Sequence, residues 1–136
     1  MAYQLQEINR RIKTDVTEFL EECDQAYAQR VSLAADRILS NLDKSPVVLL
    51  SGPSGSGKTT TAMKIAEELR RRGVGSHAVA LDNYFKTLNP RTAPRTPEGD
   101  IDYESPQCLD MDLLDDTFTK LSHGEWVVVP KFEFAR

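Results

Sequence analysis

Between a short apolar run and an amphipathic segment the chain carries Gly52-Pro53-Ser54-Gly55-Ser56-Gly57-Lys58-Thr59, which fulfils the phosphate-loop pattern G-x-x-x-x-G-K-[S/T]. The pattern has meaning only between a strand and a helix. Val47-Val48-Leu49-Leu50-Ser51 before it reads as a short buried strand, and Thr60 to Arg72 after it as a helix opening at Lys58. Glycines at these positions let the backbone turn tightly and bring N–H groups up to phosphate oxygens with no Cβ in the way. The opening helix adds the positive end of its dipole. Gly52, Ser54, Gly55, Ser56, Gly57, Lys58, Thr59 and Thr60 are therefore the expected contacts of a nucleotide's phosphates, with Lys58 as the ammonium at the β- and γ-positions. Thr59 is the expected hydroxyl ligand of the Mg²⁺ that accompanies the nucleotide.

Composition sets the outer limits. A chain of 136 residues with 40% hydrophobic content supports one soluble globular domain. Its net charge of −4 gives no general attraction to nucleic acid or to acidic membranes. No apolar run approaches the ~20 residues of a membrane span, and residues 1–11 lack a signal-peptide core, so a cytoplasmic location is expected. Cys23 and Cys108 lie in unrelated segments without metal-site spacing and are expected as free thiols.

Along the chain, residues 3–42 place apolar side chains at helical spacing from Leu5 to Leu42. One bent helix or two are expected, with a stripe that packs on the rest of the domain or on a second copy. Asp43-Lys44-Ser45-Pro46 ends this part, so the chain divides into a helical extension, 1–44, and a nucleotide-binding part, 45–136. In the phosphate-loop helix Ala62, Ile65, Ala66 and Leu69 make the inner face, Glu67, Glu68 and Arg70 to Arg72 point outward, and Gly73 and Gly75 stop the helix. His77 to Leu81 reads as a second parallel strand ending at Asp82, with His77 structural. A long loop over 83–105 follows, in which Arg91 and Arg95 are expected to be solvated, the alternative being contact with substrate or phosphate. Ser105-Pro106 is a helix start, the helix stops near His123-Gly124, and Trp126 to Phe134 is a further strand.

Four ordered blocks then resemble a known family. They are the phosphate loop; Leu81-Asp82-Asn83-Tyr84-Phe85; Gly99-Asp100-Ile101-Asp102-Tyr103-Glu104-Ser105-Pro106 with Leu109-Asp110; and Val129-Pro130-Lys131-Phe132-Glu133-Phe134. Over about residues 46–134 the chain resembles the uridine kinase and phosphoribulokinase family, most closely its bacterial uridine kinase-like branch with helices before the kinase part. The resemblance implies an α/β fold with a parallel sheet of the P-loop NTPase type, and phosphoryl transfer from ATP or GTP, with Mg²⁺, to a nucleoside hydroxyl. It implies that Asp82 is the catalytic aspartate, working with Lys58, and that Glu104 holds sugar hydroxyls. Tyr84, Tyr103, Phe132 and Phe134 match positions that wall the nucleoside pocket. Glu104 stands where Asp is common in the family, and Phe132 where Tyr is common.

The family's later segments, among them a parallel strand between those at 47–51 and 77–81, have no counterpart in the chain. The sheet is therefore expected to be incomplete and the chain to be an N-terminal part, filling the gap as a homo-oligomer, by strand exchange or by rearranged pairing. Two other functions remain open: a nucleotide-binding module without catalysis, and a kinase for another small hydroxyl substrate.

Overall fold

The protein is described here by a computed structural model, covering residues 2–134. It divides into two compact units, Met1–Ser76 and His77–Arg136. The first holds three helices: α1 (Leu5–Thr14), α2 (Val16–Asn41) and α3 (Lys58–Arg71). The second holds α4 (Met111–Ser122) and two 3₁₀ turns, Leu81–Tyr84 and Pro106–Cys108.

The N-terminal stripe forms two helices rather than one bent helix. Asp15 breaks it with φ −152° and ψ 49°. Its carboxylate accepts from Thr14 Oγ1 at 2.7 Å and from Arg11 Nε at 3.0 Å, and so does not cap α2. Arg11 also pairs with Glu22, which accepts from the Tyr3 hydroxyl at 2.7 Å. The guanidinium lies 4.9 Å from the Phe19 ring centroid, and Tyr3 meets Phe19 edge to face at 5.3 Å. One arginine thus ties α1 to the first turns of α2.

Helix α2 packs on α3. Ala35 and Leu69 are buried in this unit together with Phe19, while Ala62, Ile65 and Ala66 are half-buried. Glu68 and Arg72 do not point outward as their helical positions imply. Arg72 donates to Glu68 at 2.9 Å, to the Ser32 hydroxyl at 2.8 Å and to Asp36, so charge satisfaction between helices turns both side chains in. Gly73, at φ +87°, closes α3: Val74 N–H bonds the Leu69 carbonyl at 2.9 Å and Gly73 N–H that of Arg70 at 3.0 Å. Gly124 at φ +72° ends α4 in the same way.

The strands expected at 47–51, 77–81 and 126–134 do not form. Among the described residues the only β pairings are isolated antiparallel bridges, Phe85 with Leu109 and Arg95 with Ile101. A strand exists through a neighbour's N–H and C=O groups, and these segments have none beside them. Many of their apolar side chains stay in solvent: Leu49 is 81% exposed and Trp126 99%. The helix expected from Ser105 also starts later. Ser105 Oγ caps only the 3₁₀ turn, because Cys108 and Asp110 bond the 84–86 segment (Lys86 N to Cys108 O, 3.0 Å; Asp110 N to Tyr84 O, 2.7 Å). Asp110 then caps α4 through Leu113 N–H at 3.1 Å. Both cysteines are free, as expected.

Hydrogen bonds hold three carboxyls below the ordinary range: Glu22 (from Tyr3, then Arg11), Asp15 (from Thr14, then Arg11) and Glu68 (from Arg71, then Arg72). A depressed folded-state value stabilises at pH above the unfolded value of about 4 and loses that contribution as pH falls through the folded value. The urea midpoint is therefore expected to fall as pH drops below about 4, and less steeply in Arg11→Ala. Parallel profiles for the two proteins would contradict the assignment.

Candidate phosphate site and the turn carrying Asp82

Two glycines shape the loop. Gly55 (φ +71°) and Gly57 (φ +83°) adopt left-handed backbone, which a Cβ would strain. Gly57 is also the residue that opens α3, and no side chain caps that helix. Ser56 N–H bonds the Pro53 carbonyl at 3.2 Å and Thr61 N–H the Gly57 carbonyl at 2.9 Å. Among the described residues the N–H groups of Gly57, Lys58, Thr59 and Thr60 have no partner. They form the positive end of α3, exposed to solvent except for the half-buried Lys58.

The Lys58 ammonium curls back onto the Pro53 carbonyl at 2.9 Å. Its charge therefore sits over the loop and can leave a neutral acceptor for an anion. At Gly52 a Cβ would stand 2.9 Å from Ser56 Oγ, so a larger residue there would make the Ser56 side chain turn away. Together these donors fit the phosphates of a nucleotide. The Thr59 hydroxyl is exposed and has no partner among the described residues, while no cluster of three metal-ligating side chains occurs among them. That donor set suits a Mg²⁺ held by one hydroxyl, phosphate oxygens and water, not a protein-made cage.

In the second unit Asp82 lies in the 3₁₀ turn Leu81–Tyr84, exposed and without a side-chain hydrogen bond among the described residues. The same turn gathers aromatic residues. Phe132 and Phe134 stand 4.7 Å apart, centroid to centroid, and lie 6.0 and 5.4 Å from Phe85. Asn83 Oδ1 accepts from Phe132 N–H at 3.4 Å, which binds the final segment to the residue next to Asp82. Asn83 is a contributor that sequence reasoning left aside, although it stands inside the Leu81–Phe85 block.

Tyr84 differs from the other nucleoside-facing candidates. It is 1% exposed, with its hydroxyl unpartnered among the described residues, so its ring supports the turn and is closed to a ligand. Tyr103 and Glu104 are exposed, the latter's N–H bonding Asp102 Oδ1 at 3.1 Å. Arg95 spends its guanidinium on its own loop, donating to the carbonyls of Gly99 (2.6 Å) and Pro90 (2.9 Å). A separate cleft of about 530 Å³, lined by Lys86, Leu88, Asn89, Pro94, Leu109 and Asp110 among others, includes none of the residues assigned from sequence.

Comparison with known proteins decides the family. The model of the phosphoribulokinase/uridine kinase family matches residues 47–136. The chain belongs to this family. It is 36% identical over 85 residues to a uridine kinase of Schizosaccharomyces pombe, covering 62% of the chain and 18% of that relative. It is 31% identical over 99 residues to a uridine kinase of Vibrio campbellii, covering 71% and 45%, and 27% identical over 99 residues to one of Lactobacillus helveticus, covering 73% and 46%. The chain thus spans less than half the length of each of these relatives. No solved structure matches it. Family membership implies the α/β phosphate-loop fold, of which α3 and its loop are formed here and the sheet is not. Among the described residues no helix is long and apolar enough to cross a membrane.

Gly57→Ala is expected to cost about 1–2 kcal/mol in left-handed strain. Because that strain falls on the residue that frees the first-turn N–H groups, Mg-ATP should bind roughly tenfold more weakly by calorimetry. Unchanged affinity would show that the loop does not need this conformation.

Proposed function

We propose that the protein acts in phosphoryl transfer from ATP or GTP to a nucleoside hydroxyl, the 5′-hydroxyl of a pyrimidine nucleoside being the preferred acceptor. The observation that carries this reading is the open first turn of α3: four N–H groups without a partner among the described residues, in a loop that also holds the Lys58 ammonium, in a chain of the phosphoribulokinase/uridine kinase family. Gly52, Ser54, Gly55 and Ser56 wrap the phosphates, and Gly57 to Thr60 with Lys58 neutralise them. Mg²⁺, held through Thr59, supplies charge neutralisation on the phosphates when bound.

Asp82 accepts the proton of the acceptor hydroxyl as its oxygen forms the new bond to the γ-phosphorus and the bond to the β-phosphate oxygen breaks. The exposure of Asp82 and its lack of a competing hydrogen bond support this role. Phe132 and Phe134, joined to the Asp82 turn through Asn83 and set edge to face, offer a ring face for a base, with Tyr103 and Glu104 assigned to the nucleoside and Tyr84 as the buried support of the turn. The proposed division of labour is a helical extension, 1–44, and a kinase part, 45–136, working in the cytoplasm. The exposed apolar segments at 47–51 and 126–129 are proposed to pair between copies, giving a homo-oligomer through strand exchange.

Lys58→Ala is expected to lower phosphoryl transfer to uridine or cytidine by at least about 100-fold, read by coupled ADP release in the full-length protein. Unchanged turnover would overturn the assignment of the loop, and Mg-ATP binding without turnover in the unmutated protein would leave a binding module instead. Sedimentation should show a species larger than a monomer; a monomer would exclude strand exchange.

A further inference from the structure

Two contacts fasten α2 to α3, one near each end of the phosphate-loop helix. At the far end Arg72 joins Asp36, Ser32 and Glu68. At the loop end the Tyr27 hydroxyl lies 2.9 Å from Thr61 Oγ1. Tyr27 to Asp36 spans about 14 Å of helix, and Thr61 to Arg72 about 17 Å, so the two helices run side by side in the same sense. Residue 27 lies outside the family match, which begins at residue 47.

Thr61 is the residue whose N–H closes the first turn of α3 on the Gly57 carbonyl, at 2.9 Å. A threonine in a helix ordinarily turns its hydroxyl back to the carbonyl four residues earlier, which here is that of Gly57. Tyr27 instead engages it from the neighbouring helix. The phenol is half-open to solvent, 39% exposed.

We propose that Tyr27 is a positioning residue for the phosphate loop, holding Thr61 and through it the Gly57 turn, so that the helical extension sets nucleotide affinity. This rests on the reading of the loop as a nucleotide site. The far contact holds the same helix but not its phosphate end, and so separates positioning from packing.

The test uses Mg-ATP titrated calorimetrically into the full chain, with thermal unfolding measured on each variant. Tyr27→Phe keeps the ring and removes the hydroxyl; it is expected to raise Kd about three- to tenfold with little change in the unfolding midpoint. Thr61→Val should do the same, Thr61→Ser should bind as the unmutated chain does, and the double variant Tyr27→Phe/Thr61→Val should bind no worse than either alone. Asp36→Asn should lower the unfolding midpoint and leave Kd within about twofold. If the unmutated chain binds Mg-ATP and Tyr27→Phe binds equally well, or if Asp36→Asn weakens binding as much as Tyr27→Phe does, the positioning role is wrong while the nucleotide site stands. If the folded, unmutated chain binds no Mg-ATP, both readings fail together.

Discussion

Helix α3 begins without a cap, and much of the rest of the first unit is arranged around that fact. A helix start exposes N–H groups that normally take a side-chain oxygen, a contribution of about 1 kcal/mol. Here the position is held by Gly57 in left-handed backbone, which supplies no side chain at all. The stability forgone at the loop end is offset by packing: α2 lies along α3, Leu69 and Ala35 are buried, and Arg72, held by Glu68, fastens the other end across to Ser32 and Asp36. A helix anchored by its side and its C-terminus can keep its N-terminus free for an anion.

The second unit solves a different problem with fewer regular elements. Its buried residues are Tyr84, Cys108 and Thr117, and backbone bonds between the 84–86 and 108–110 segments take the place of a sheet. That pairing holds Asp82 in a short turn with its carboxylate unengaged, and Asn83 brings the Phe132–Phe134 pair to the same turn. An acidic group beside an aromatic surface results from one asparagine amide and two alternating phenylalanines.

The legible features were those whose physics is local. The phosphate loop, the extent of α3 and its stop at Gly73, and the end of α4 at Gly124 follow from backbone conformations that only glycine adopts easily and from helical periodicity. Less legible were features that depend on a distant partner. Glu68 and Arg72 occupy outward helical positions yet turn inward, Arg72 to Asp36 and Ser32 and Glu68 to Arg72, and Ser105-Pro106 loses the helix start to Asp110 because 108–110 is bonded to 84–86. The Tyr27–Thr61 contact left no mark in the sequence beyond a tyrosine in an apolar stripe.

The sequence by itself determined the backbone of the loop, since glycines at 55 and 57 admit left-handed conformation and Gly57 starts α3 without a side-chain cap. It also determined that 47–51, 77–81 and 126–134 are apolar enough to be strands. Only the tertiary structure decided that they are not paired among the described residues, because alternation and β-branching describe a single segment, whereas a strand is a set of hydrogen bonds shared with another.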